Sequence, residues 1–522
     1  MKKTIIFLIV TVLLGCSAPD ILLSVSALET ATIEEYNQQM KLLNEEKFPD
    51  SDAKYSEVTE NDFVFHLYEN YAFLTEYKNT EITEITIPDE IQGLPVLGCT
   101  GSPFGYCHKL TTIQIPDNFH YFKWHELTST TFVKAGSTED PMPSVSKVIV
   151  SDTNPYYTVS DDMLYTKDMK MLIGCPPALD RKELHIAEQT ETVGDYAFFA
   201  CMSLEKAVIP SHVMHINNNA FTACLNLVSA ELPESITSVS GDMFYYCQSL
   251  TDVTFRGQIQ TIGYGAFAEC SALTDFLIPD TVTYIGRNAF QNSGCIENLD
   301  GVHYVQNWVV GSDEDIKRAV IREGTAGISE LAFFLRNQAE LLDIPESIKY
   351  IGNLCFVGGI NGVPSVIHYR NAVINEKTLI STKATTDIYI YHPDCDIFDS
   401  EKTIPANYKY AVPEKAHFIT DYPEEERYNT GDVVIHGYAG STAQAYAEKY
   451  HRQFAVIEEN SLSGDANGDG TLDVSDIVLL HKWLQGIPDT HLADWKASDL
   501  TKDGKINIFD FIRLKYLLLE TN

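Results

Sequence analysis

Apolar and polar positions in the middle of the chain repeat with a period of 23 residues. Segments with the same pattern, AFFACMSL, AFTACLNL, MFYYCQSL and AFAECSAL, begin at residues 197, 220, 243 and 266. The full unit reads L-x-x-(I/V)-x-I-P-x-x-(I/V)-x-x-I-G-x-x-A-F-x-x-C-x-x-L. It predicts a short strand, a turn at the proline and a bend at the glycine, and it is too small to bury its own apolar side chains. We therefore expect neighbouring units to stack and to share one core.

The phenylalanines and cysteines of the unit are predicted to be core residues. Equivalent phenylalanines of adjacent units should stack at about strand spacing, ~5 Å. The cysteines should be small buried thiols, and we expect them to be reduced because a disulfide between neighbouring units would distort the coil. The repeated positions are Phe198, Phe221, Phe244, Phe267 and Phe290, with Cys201, Cys224, Cys247 and Cys270.

A fixed period in this range with leucine-type positions is typical of a leucine-rich repeat solenoid. The units resemble the BspA-type leucine-rich repeats of bacterial surface proteins, over roughly residues 60–457. Residues 83–99 resemble the entry unit of that family, and residues 154–177 and 300–325 resemble its long repeats, which carry a hairpin. The resemblance implies a mainly β fold with short helices and a role in ligand recognition or adhesion rather than catalysis.

The end of the predicted solenoid, residues 433–457, resembles the closing cap of the same family. Ser441 and Gln444 have the spacing of a capping box, in which the first side chain bonds the backbone of the fourth residue. We therefore expect a short helix to begin after Ser441 and to run to about Tyr450.

Near the C-terminus, oxygen-bearing residues alternate along two stretches that start at Asp465 and Asp499, 34 residues apart. Calcium is a hard cation that is bound by oxygens at positions 1, 3, 5, 7, 9 and 12 of a loop with glycine at position 6. Gly470 and Gly504 stand at that position. We predict two calcium ions. Their ligands are Asp465, Asn467, Asp469, the carbonyl of Thr471, Asp473 and Asp476, and Asp499, Thr501, Asp503, the carbonyl of Lys505, Asn507 and Asp510.

Each loop is followed by an apolar pattern of helical period, and position 12 is Asp where a common EF-hand has Glu. No comparable helix is predicted before either loop, because EENSLSG and WKAS are too short or too polar. The duplicated unit resembles a type I dockerin, a small all-α domain, over residues 462–522. A dockerin binds a cohesin module of a cellulosome scaffold, which makes a cohesin the partner that the resemblance implies.

The resemblance also implies which residues contact the cohesin, at positions 10, 11, 17 and 18 of each dockerin repeat. The common Ser-Thr and Lys-Arg pairs of the family are not kept here, so the resemblance does not identify the cognate cohesin. The implied contact residues are Val474, Ser475, His481 and Lys482 in the first repeat, and Ile508, Phe509, Lys515 and Tyr516 in the second.

The N-terminus has two lysines and then an apolar run that is too short to span a membrane, as in a secretory signal peptide. Two processing routes fit it: cleavage after Ala27, which we favour, or lipidation of Cys16 in a lipoprotein box. Either route places the mature chain outside the membrane. The expected division is 1–27 signal peptide, 28–60 polar N-terminal segment with a short helix over 33–43, 61–457 solenoid with cap, 458–461 linker and 462–522 dockerin.

The formal charge of −36 argues against binding of a nucleic acid, which needs clustered Lys and Arg. The fifteen histidines lack an HExxH pattern, and no motif of a nucleophilic enzyme is present. Tyr156, Tyr157, Tyr245 and Tyr246 are expected to be exposed and are candidates for stacking on sugars, although packing or a solvated hairpin surface is the favoured interpretation. The sequence therefore predicts no catalytic residue.

The favoured function is a secreted, cellulosome-associated binding protein that takes part in plant polysaccharide degradation. Its repeats would bind a glycan or protein ligand, and its dockerin would attach it to the scaffold. Two alternatives stay open: a glycoside hydrolase with an unrecognised site on the solenoid, or a lipid-anchored surface adhesin.

Overall fold

The computed structural model describes residues 54–128, 144–333, 339–352, 355, 366–374, 386–401, 403–404, 407–408, 428–429, 433–457, 463–468, 471–487, 490, 492–493, 495–501 and 505–521. The predicted signal peptide, the Cys16 alternative and the predicted helix at 33–43 lie outside these residues. The fold is mainly β, about 10% helical, and forms a solenoid of ~14 turns with a period of ~23 residues, as predicted. No helix in the described part of the chain is long and apolar enough to cross a membrane.

The first part of the solenoid begins with three antiparallel strands, to which β6 adds in parallel, and continues with the parallel ladder β4-β7-β8. Strand β1 lies within the stretch that the sequence predicts as a polar segment before the solenoid. The elements are β1 Ser56–Glu60, β2 Phe63–Leu67, β3 Ala72–Tyr77, β4 Glu84–Thr86, β5 Glu90–Ile91, β6 Leu94–Cys99, β7 Thr112–Ile115, α1 Trp124–Thr128 and β8 Lys147–Val150.

The central part contains one antiparallel meander, β9-β10-β11, inside the first long repeat, which confirms the predicted hairpin. The strands that follow pair in parallel with the equivalent strands of neighbouring coils, so that Ala207 lies beside Ala230 and Ala230 beside Val253. The elements are β9 Tyr157–Ser160, β10 Met163–Thr166, β11 Met171–Gly174, β12 Thr192–Val193, β13 Lys206–Val208, β14 His215–Ile216, β15 Ser229–Leu232, β16 Ser238–Val239, β17 Asp252–Phe255, β18 Thr261–Ile262 and β19 Tyr284–Ile285.

The last part has a second meander, β20-β21-β22, in the second long repeat, again as predicted. It also contains a six-stranded parallel sheet in the order β23-β25-β27-β29-β33-β34. The elements are β20 Glu297–Leu299, β21 Val302–Val305, β22 Trp308–Ser312, β23 Arg318–Val320, β24 Gly327–Ile328, β25 Leu341–Ile344, β26 Tyr350–Ile351, β27 Val366–Tyr369, β28 Val373–Ile374, β29 Asp387–Ile390, β30 Asp396–Ile397, β31 Asn407–Tyr408, β32 Tyr428–Asn429, β33 Val434–Gly437, α2 Thr442–Lys449 and β34 Gln453–Val456.

The repeated phenylalanines form the ladder that the period predicts. The ring centroids of Phe198 and Phe221 are 4.9 Å apart, and each later pair up to Phe267 and Phe290 is separated by 5.5 Å. All five side chains have no exposed surface. The rings are nearly parallel, with interplanar angles from 6° to 17°, because each stands at the same point of a coil that repeats at strand spacing.

The repeated cysteines are buried thiols, and none of the ten cysteines in the described residues forms a disulfide. Each thiol has a structural role that the sequence did not reveal. The Cys247 thiol donates a hydrogen bond to the carbonyl of Phe221 (3.1 Å), and the Cys270 thiol does the same to Phe244 (3.1 Å). Ser293 occupies the next equivalent position, and its hydroxyl donates to the carbonyl of Phe267 (2.6 Å). Each of these carbonyls also accepts a backbone amide of its own coil, as the Phe221 carbonyl does from Cys224 N (3.2 Å), so the thiol adds a second hydrogen bond that links neighbouring coils.

The bend of each coil is not formed at the glycine that the consensus predicts. Left-handed φ angles occur two and six residues later, at Asp242 (50°) and Tyr246 (64°) and at their equivalents in neighbouring coils. At these turns the backbones of adjacent coils bond directly, as from Asn219 N to the Gly241 carbonyl (2.9 Å) and from Ala223 N to the Tyr245 carbonyl (2.8 Å). These bonds hold the residues in a conformation that non-glycine residues adopt at a cost.

The cap closes the solenoid as predicted. Ser441 is the N-cap of α2 and accepts a hydrogen bond from the Gln444 amide, and Tyr450 is the C-cap. The Gln444 side chain reaches back to the amide of Gly440 (2.7 Å) rather than to that of Ser441. The inner face of α2 is buried through Ala443, Tyr446 and Ala447.

In the described residues of the C-terminal module there are three helices: α3 Val474–Leu484, α4 Trp495–Ser498 and α5 Ile508–Thr521. Helices α3 and α5 pack against each other around a small core of Leu480, Leu500, Phe511 and Leu514. Two backbone bonds join the halves, from Gly464 N to the Ala497 carbonyl and from Ala493 N to the Ala466 carbonyl, both 2.8 Å. Helix α4 precedes the second loop, but with only four residues it is not comparable to α3 or α5, which agrees with the expectation for WKAS. It forms because Asp499 N bonds the Trp495 carbonyl (2.8 Å) while Ala497 and Ser498 are buried.

Candidate functional site

The first predicted calcium loop is organised by the carboxylate of Asp476, which has no exposed surface. Its two oxygens accept hydrogen bonds from the backbone amides of Asn467 (3.1 Å) and Asp473 (2.9 Å). At the start of the loop, the buried Asp465 accepts a bond from the amide of Gly468 (2.7 Å). The loop is therefore folded around the carboxylates at its positions 1 and 12.

The second loop repeats this arrangement. Asp510 is also fully buried, and it accepts from the amides of Thr501 (2.9 Å) and Asn507 (2.8 Å) and from the Thr501 hydroxyl (2.8 Å). Asp499, at position 1, is buried as well. The two sequence repeats therefore form equivalent sets of hydrogen bonds around the carboxylate at position 12.

The residues at position 9 have a role beyond that of a predicted ligand. Asp473 is the N-cap of α3 and forms a capping box with Asp476, and its carboxylate accepts from the Ser475 amide (2.6 Å). Asn507 bonds the amide of Phe509 in the same way (2.8 Å). The signal was present in the sequence, because Asp and Asn are favoured N-cap residues and an acid follows three residues later.

Four buried carboxylates in so small a module are an electrostatic problem. An ionised carboxylate is costly to bury unless it is paired with a charge or a metal ion. Among the described residues, no Lys or Arg forms an ion pair with Asp476 or Asp510. Backbone amides stabilise these carboxylates but leave their negative charge in place, so a bound cation would relieve the cost.

The donor set fits a hard divalent cation, because it consists of carboxylate, amide, hydroxyl and carbonyl oxygens. Asp469 and Asp503, predicted at position 5, lie outside the described residues. Within the described part, no three His, Cys, Asp or Glu side chains converge as they would around a bound metal ion. In these residues the carboxylates at position 12 accept hydrogen bonds from backbone amides. Five of the ten predicted ligands that the structure describes are not acids.

The eight residues that the resemblance assigns to cohesin contact are all exposed. Their chemistry differs between the helices. Helix α5 carries an exposed apolar stripe in which Phe509 is 66% and Tyr516 63% exposed, continued by Ile512 and Leu519. Ile512 and Leu519 were not among the predicted contact residues, although their spacing to Phe509 and Tyr516 places them on one helix face.

On α3 the equivalent face is shorter and more polar. Val474 is 68% exposed there, but Ser475, His481 and Lys482 are polar. His481 is also held by a stack on Phe511 of α5, with centroids 5.1 Å apart. The Lys515 ammonium, on α5, lies 4.4 Å from the centroid of the same Phe511 ring. The two faces therefore do not present the same surface to a partner.

The solenoid tyrosines that were candidates for sugar stacking are not free platforms. Tyr157 is buried, which corrects the expectation of exposure, and its hydroxyl donates to the carbonyl of His120 (2.8 Å). Tyr156 stacks on the His120 ring at 4.2 Å. Tyr245 and Tyr246 are half-buried. The packing interpretation is the better one for these positions.

Comparison with family models gives two matches. The model described as "BspA type Leucine rich repeat region" matches six copies at residues 69–132 and 179–297, and the model described as "Dockerin type I domain" matches residues 463–519. Both describe binding modules, and no enzyme family was found. A search of curated proteins found no match.

Solved structures that resemble the chain include a leucine rich cell surface protein from Faecalibacterium prausnitzii A2-165, at 22% identity and a TM-score of 0.28, covering 72% of this chain and 100% of that chain. A leucine-rich repeat protein from Bacteroides ovatus ATCC 8483 has 14% identity and a TM-score of 0.30, covering 77% and 100%. The pneumococcal vaccine antigen PcpA has 13% identity and a TM-score of 0.22, covering 78% and 100%. Similarity at this level identifies neither a ligand nor an activity.

Proposed function

Because the chain carries BspA-type leucine-rich repeats and a C-terminal type I dockerin domain, we propose that it is a secreted binding component of a cellulosome. Its dockerin attaches it to a cohesin of the scaffold, and its solenoid binds a ligand during plant polysaccharide degradation. The observation that carries the proposal is the duplicated loop with a buried carboxylate at positions 1 and 12, followed in each repeat by an exposed helix face.

Calcium is the cofactor of this proposal, with one ion in each loop. Bound there, it would supply positive charge beside the buried carboxylates. The residues that would hold it are the twelve predicted ligands, from Asp465 to Asp476 and from Asp499 to Asp510. Asp476 and Asp510 also fix the loop backbone and the first turn of the following helix, so ion binding is coupled to the position of the docking faces.

We assign the main cohesin contact to α5. Aromatic side chains are the usual hot spots of interfaces, and Phe509 and Tyr516 are the large exposed aromatics on the two predicted faces. The duplication gives the module near two-fold symmetry, which would allow a second docking mode through α3 if the two faces were chemically alike. They are not, since Ser475 and Lys482 stand where Phe509 and Tyr516 stand in α5.

The extracellular location rests on the predicted signal peptide and on the kinds of module present. The proposed division is a signal peptide at 1–27, a polar segment at 28–60, the solenoid with its cap at 61–457, a linker at 458–461 and the dockerin at 462–522. Mass spectrometry of the mature N-terminus distinguishes cleavage after Ala27 from lipidation of Cys16, which would make the protein a membrane-anchored adhesin.

The test is binding of the full mature chain to a panel of type I and type II cohesins in calcium, with an activity screen on plant glycans in parallel. The proposal expects calcium-dependent binding to at least one cohesin and no release of sugars. Failure to bind any cohesin would remove the scaffold assignment. Release of sugars from a plant glycan would favour the glycoside hydrolase alternative.

A further inference from the structure

One sheet of the solenoid presents an unusual row of side chains to solvent. In the six-stranded parallel sheet, Asp343, His368, Tyr389 and His436 occupy the same register position on β25, β27, β29 and β33. Their chain neighbours point inward and are buried, while these four are half-buried on the outer face. Arg370 and Tyr391 stand in the next outward row. We call these six residues the β25–β33 array.

In the parallel sheet β13-β15-β17, different kinds of side chain occupy the equivalent position. On β13, β15 and β17 it is occupied by Val208, Glu231 and Thr254, which pair in the same parallel register. No ring stands there. The β25–β33 array is therefore not a requirement of the fold, because an equivalent sheet of the same solenoid is built without it.

The rings of the array are fixed by one another. Tyr389 stacks on His436 with centroids 4.0 Å apart and an angle of 10°. His368 meets Tyr389 edge-on at 5.0 Å and Tyr391 at 5.6 Å. The ring faces that meet in these contacts are thus covered by neighbours, and the side chains remain half-buried.

The charged members of the array are also fixed. Arg370 holds Asp343 through two bonds of 3.0 and 3.1 Å, and its guanidinium lies 4.6 Å from the Tyr391 ring centroid. His436 donates to Asp387 of the neighbouring row (2.6 Å). Burial would raise the pKa of Asp387, but the hydrogen bonds from His436 and Thr386 lower it. The positive and negative groups are balanced within the array.

The hydroxyls and one imidazole of the array keep free hydrogen-bonding capacity. Among the described residues, the hydroxyls of Tyr389 and Tyr391 have no hydrogen-bond partner, and neither has the imidazole of His368. Burial raises the pKa of Tyr391 to about 12, so its hydroxyl keeps its proton. Burial lowers the pKa of His368, against the opposing effect of Asp343, which favours the neutral ring with one donor and one acceptor.

We propose that the β25–β33 array binds a neutral, hydroxyl-rich glycan through the polar edges of its rings. Each fixed group offers a donor or an acceptor, and a sugar hydroxyl can serve as both. The side chains are already ordered, so binding costs little side-chain entropy. From β25 to β33 the row spans three strand spacings, ~14 Å, so it can contact a chain rather than a single ring.

Other kinds of ligand fit the array less well. A protein partner would find few uncovered apolar faces to bury, although such faces supply most interface hot spots. An acidic glycan would meet a balanced array on a chain with a formal charge of −36, which would repel it. The inference rests on the proposed function in one respect, since it names the ligand class of the solenoid in that function.

The experiment measures binding of the full chain to soluble xyloglucan, galactomannan and mixed-linkage β-glucan by affinity electrophoresis and calorimetry, with polygalacturonate as the anionic comparison. The test variant is Tyr389→Phe with Tyr391→Phe, which keeps both rings and removes two hydroxyls. The matched control is Tyr106→Phe, at an exposed tyrosine elsewhere on the solenoid. We expect binding to at least one neutral glycan, about tenfold weaker in the double variant and unchanged in the control.

A second variant, His368→Asn, tests the centre of the array, with the thermal unfolding of each variant as the check on folding. The inference is overturned if no neutral glycan binds, if the double variant binds as tightly as the parent chain, or if polygalacturonate binds more tightly than the neutral glycans. Cohesin binding of every variant is measured alongside. It should not change, so that failure of this inference and failure of the scaffold assignment give different results.

Discussion

The solenoid and the C-terminal module are both made of repeated units, 23 and 34 residues long, but different forces hold the units together. In the solenoid, each coil stacks apolar side chains such as Phe221 and Phe244 on those of the next coil. In the module, four buried aspartates face a core whose fully buried members are few. The first arrangement is built from apolar contacts, whereas in the second no Lys or Arg of the described residues forms an ion pair with Asp476 or Asp510.

This difference has a functional meaning. We propose that the solenoid, which is held together by stacking, stays folded without ions. If the module needs a cation to offset its carboxylates, its folding is linked to ion concentration, and attachment to a scaffold can depend on calcium while the solenoid stays folded.

Chelation should separate the two regions most strongly. In EDTA the carboxylates at positions 1 and 12 repel, and the module, with little core in reserve, should lose its helices. Ion binding to the native state adds about 2.7 kcal/mol at a hundredfold excess over Kd. Calorimetric melting of the full chain should show a calcium-sensitive transition and a calcium-insensitive one. A single transition that chelator does not shift would contradict the comparison.

Phe244→Ala should act on the solenoid alone. It removes a fully buried ring from the ladder, and the cavity should cost roughly 3–5 kcal/mol. Urea unfolding is the measurement, and Thr254→Ala, at an exposed position of the next strand, is the control with little expected change. If Phe244→Ala also weakened cohesin binding, the two regions would not be independent.

The next largest effect expected is on cohesin binding, and it differs between variants of the α5 face and variants of the α3 face. Phe509→Ala with Tyr516→Ala should weaken cohesin binding by about 2 kcal/mol or more, as expected for aromatic hot spots. Ser475→Ala with Lys482→Ala should have a much smaller effect. Calorimetry against the cognate cohesin decides between them. Equal losses from the two double variants would instead support docking in two orientations.

The smallest effect concerns the thiols. Cys247→Ser should change stability by less than about 1 kcal/mol, because a hydroxyl at the equivalent Ser293 already donates to the preceding carbonyl. Cys247→Ala removes the thiol bond and a buried sulfur but leaves the Phe221 carbonyl bonded to the Cys224 amide (3.2 Å), so it should cost about 1–2 kcal/mol. Urea unfolding of both variants tests this, and equal losses would show that the thiol acts only by filling space.

The sequence predicted most readily what the period repeats. The phenylalanine ladder and the buried cysteines follow from spacing and apolar pattern, because stacked coils put equivalent residues in contact. The two hairpins were implied by the resemblance of residues 154–177 and 300–325 to long repeats. The cap followed from Ser441 and Gln444, since capping is a local interaction. The loops were predicted from side-chain chemistry at fixed positions, although the ions themselves stay a prediction.

The remaining features depend on contacts that no period encodes. Residues 495–498 form a helical turn because their neighbours bury Ala497 and Ser498, not because of intrinsic preference. Tyr157 is buried through a tertiary bond to His120. The β25–β33 array was missed because His368, Tyr389 and His436 are unequally spaced in the chain. Alignment of the alternating strands VIHY, DIYI and VIHG would have found them.

The central claim is that calcium controls the attachment of an otherwise ion-independent solenoid to a cohesin. It is tested most directly by calorimetric titration of the full chain with its cognate cohesin in calcium, in EDTA, and again after calcium is restored. We predict binding in calcium, none in EDTA and recovery on restoration, with the transition assigned to the solenoid unchanged throughout. Equal affinity in calcium and EDTA would contradict the account.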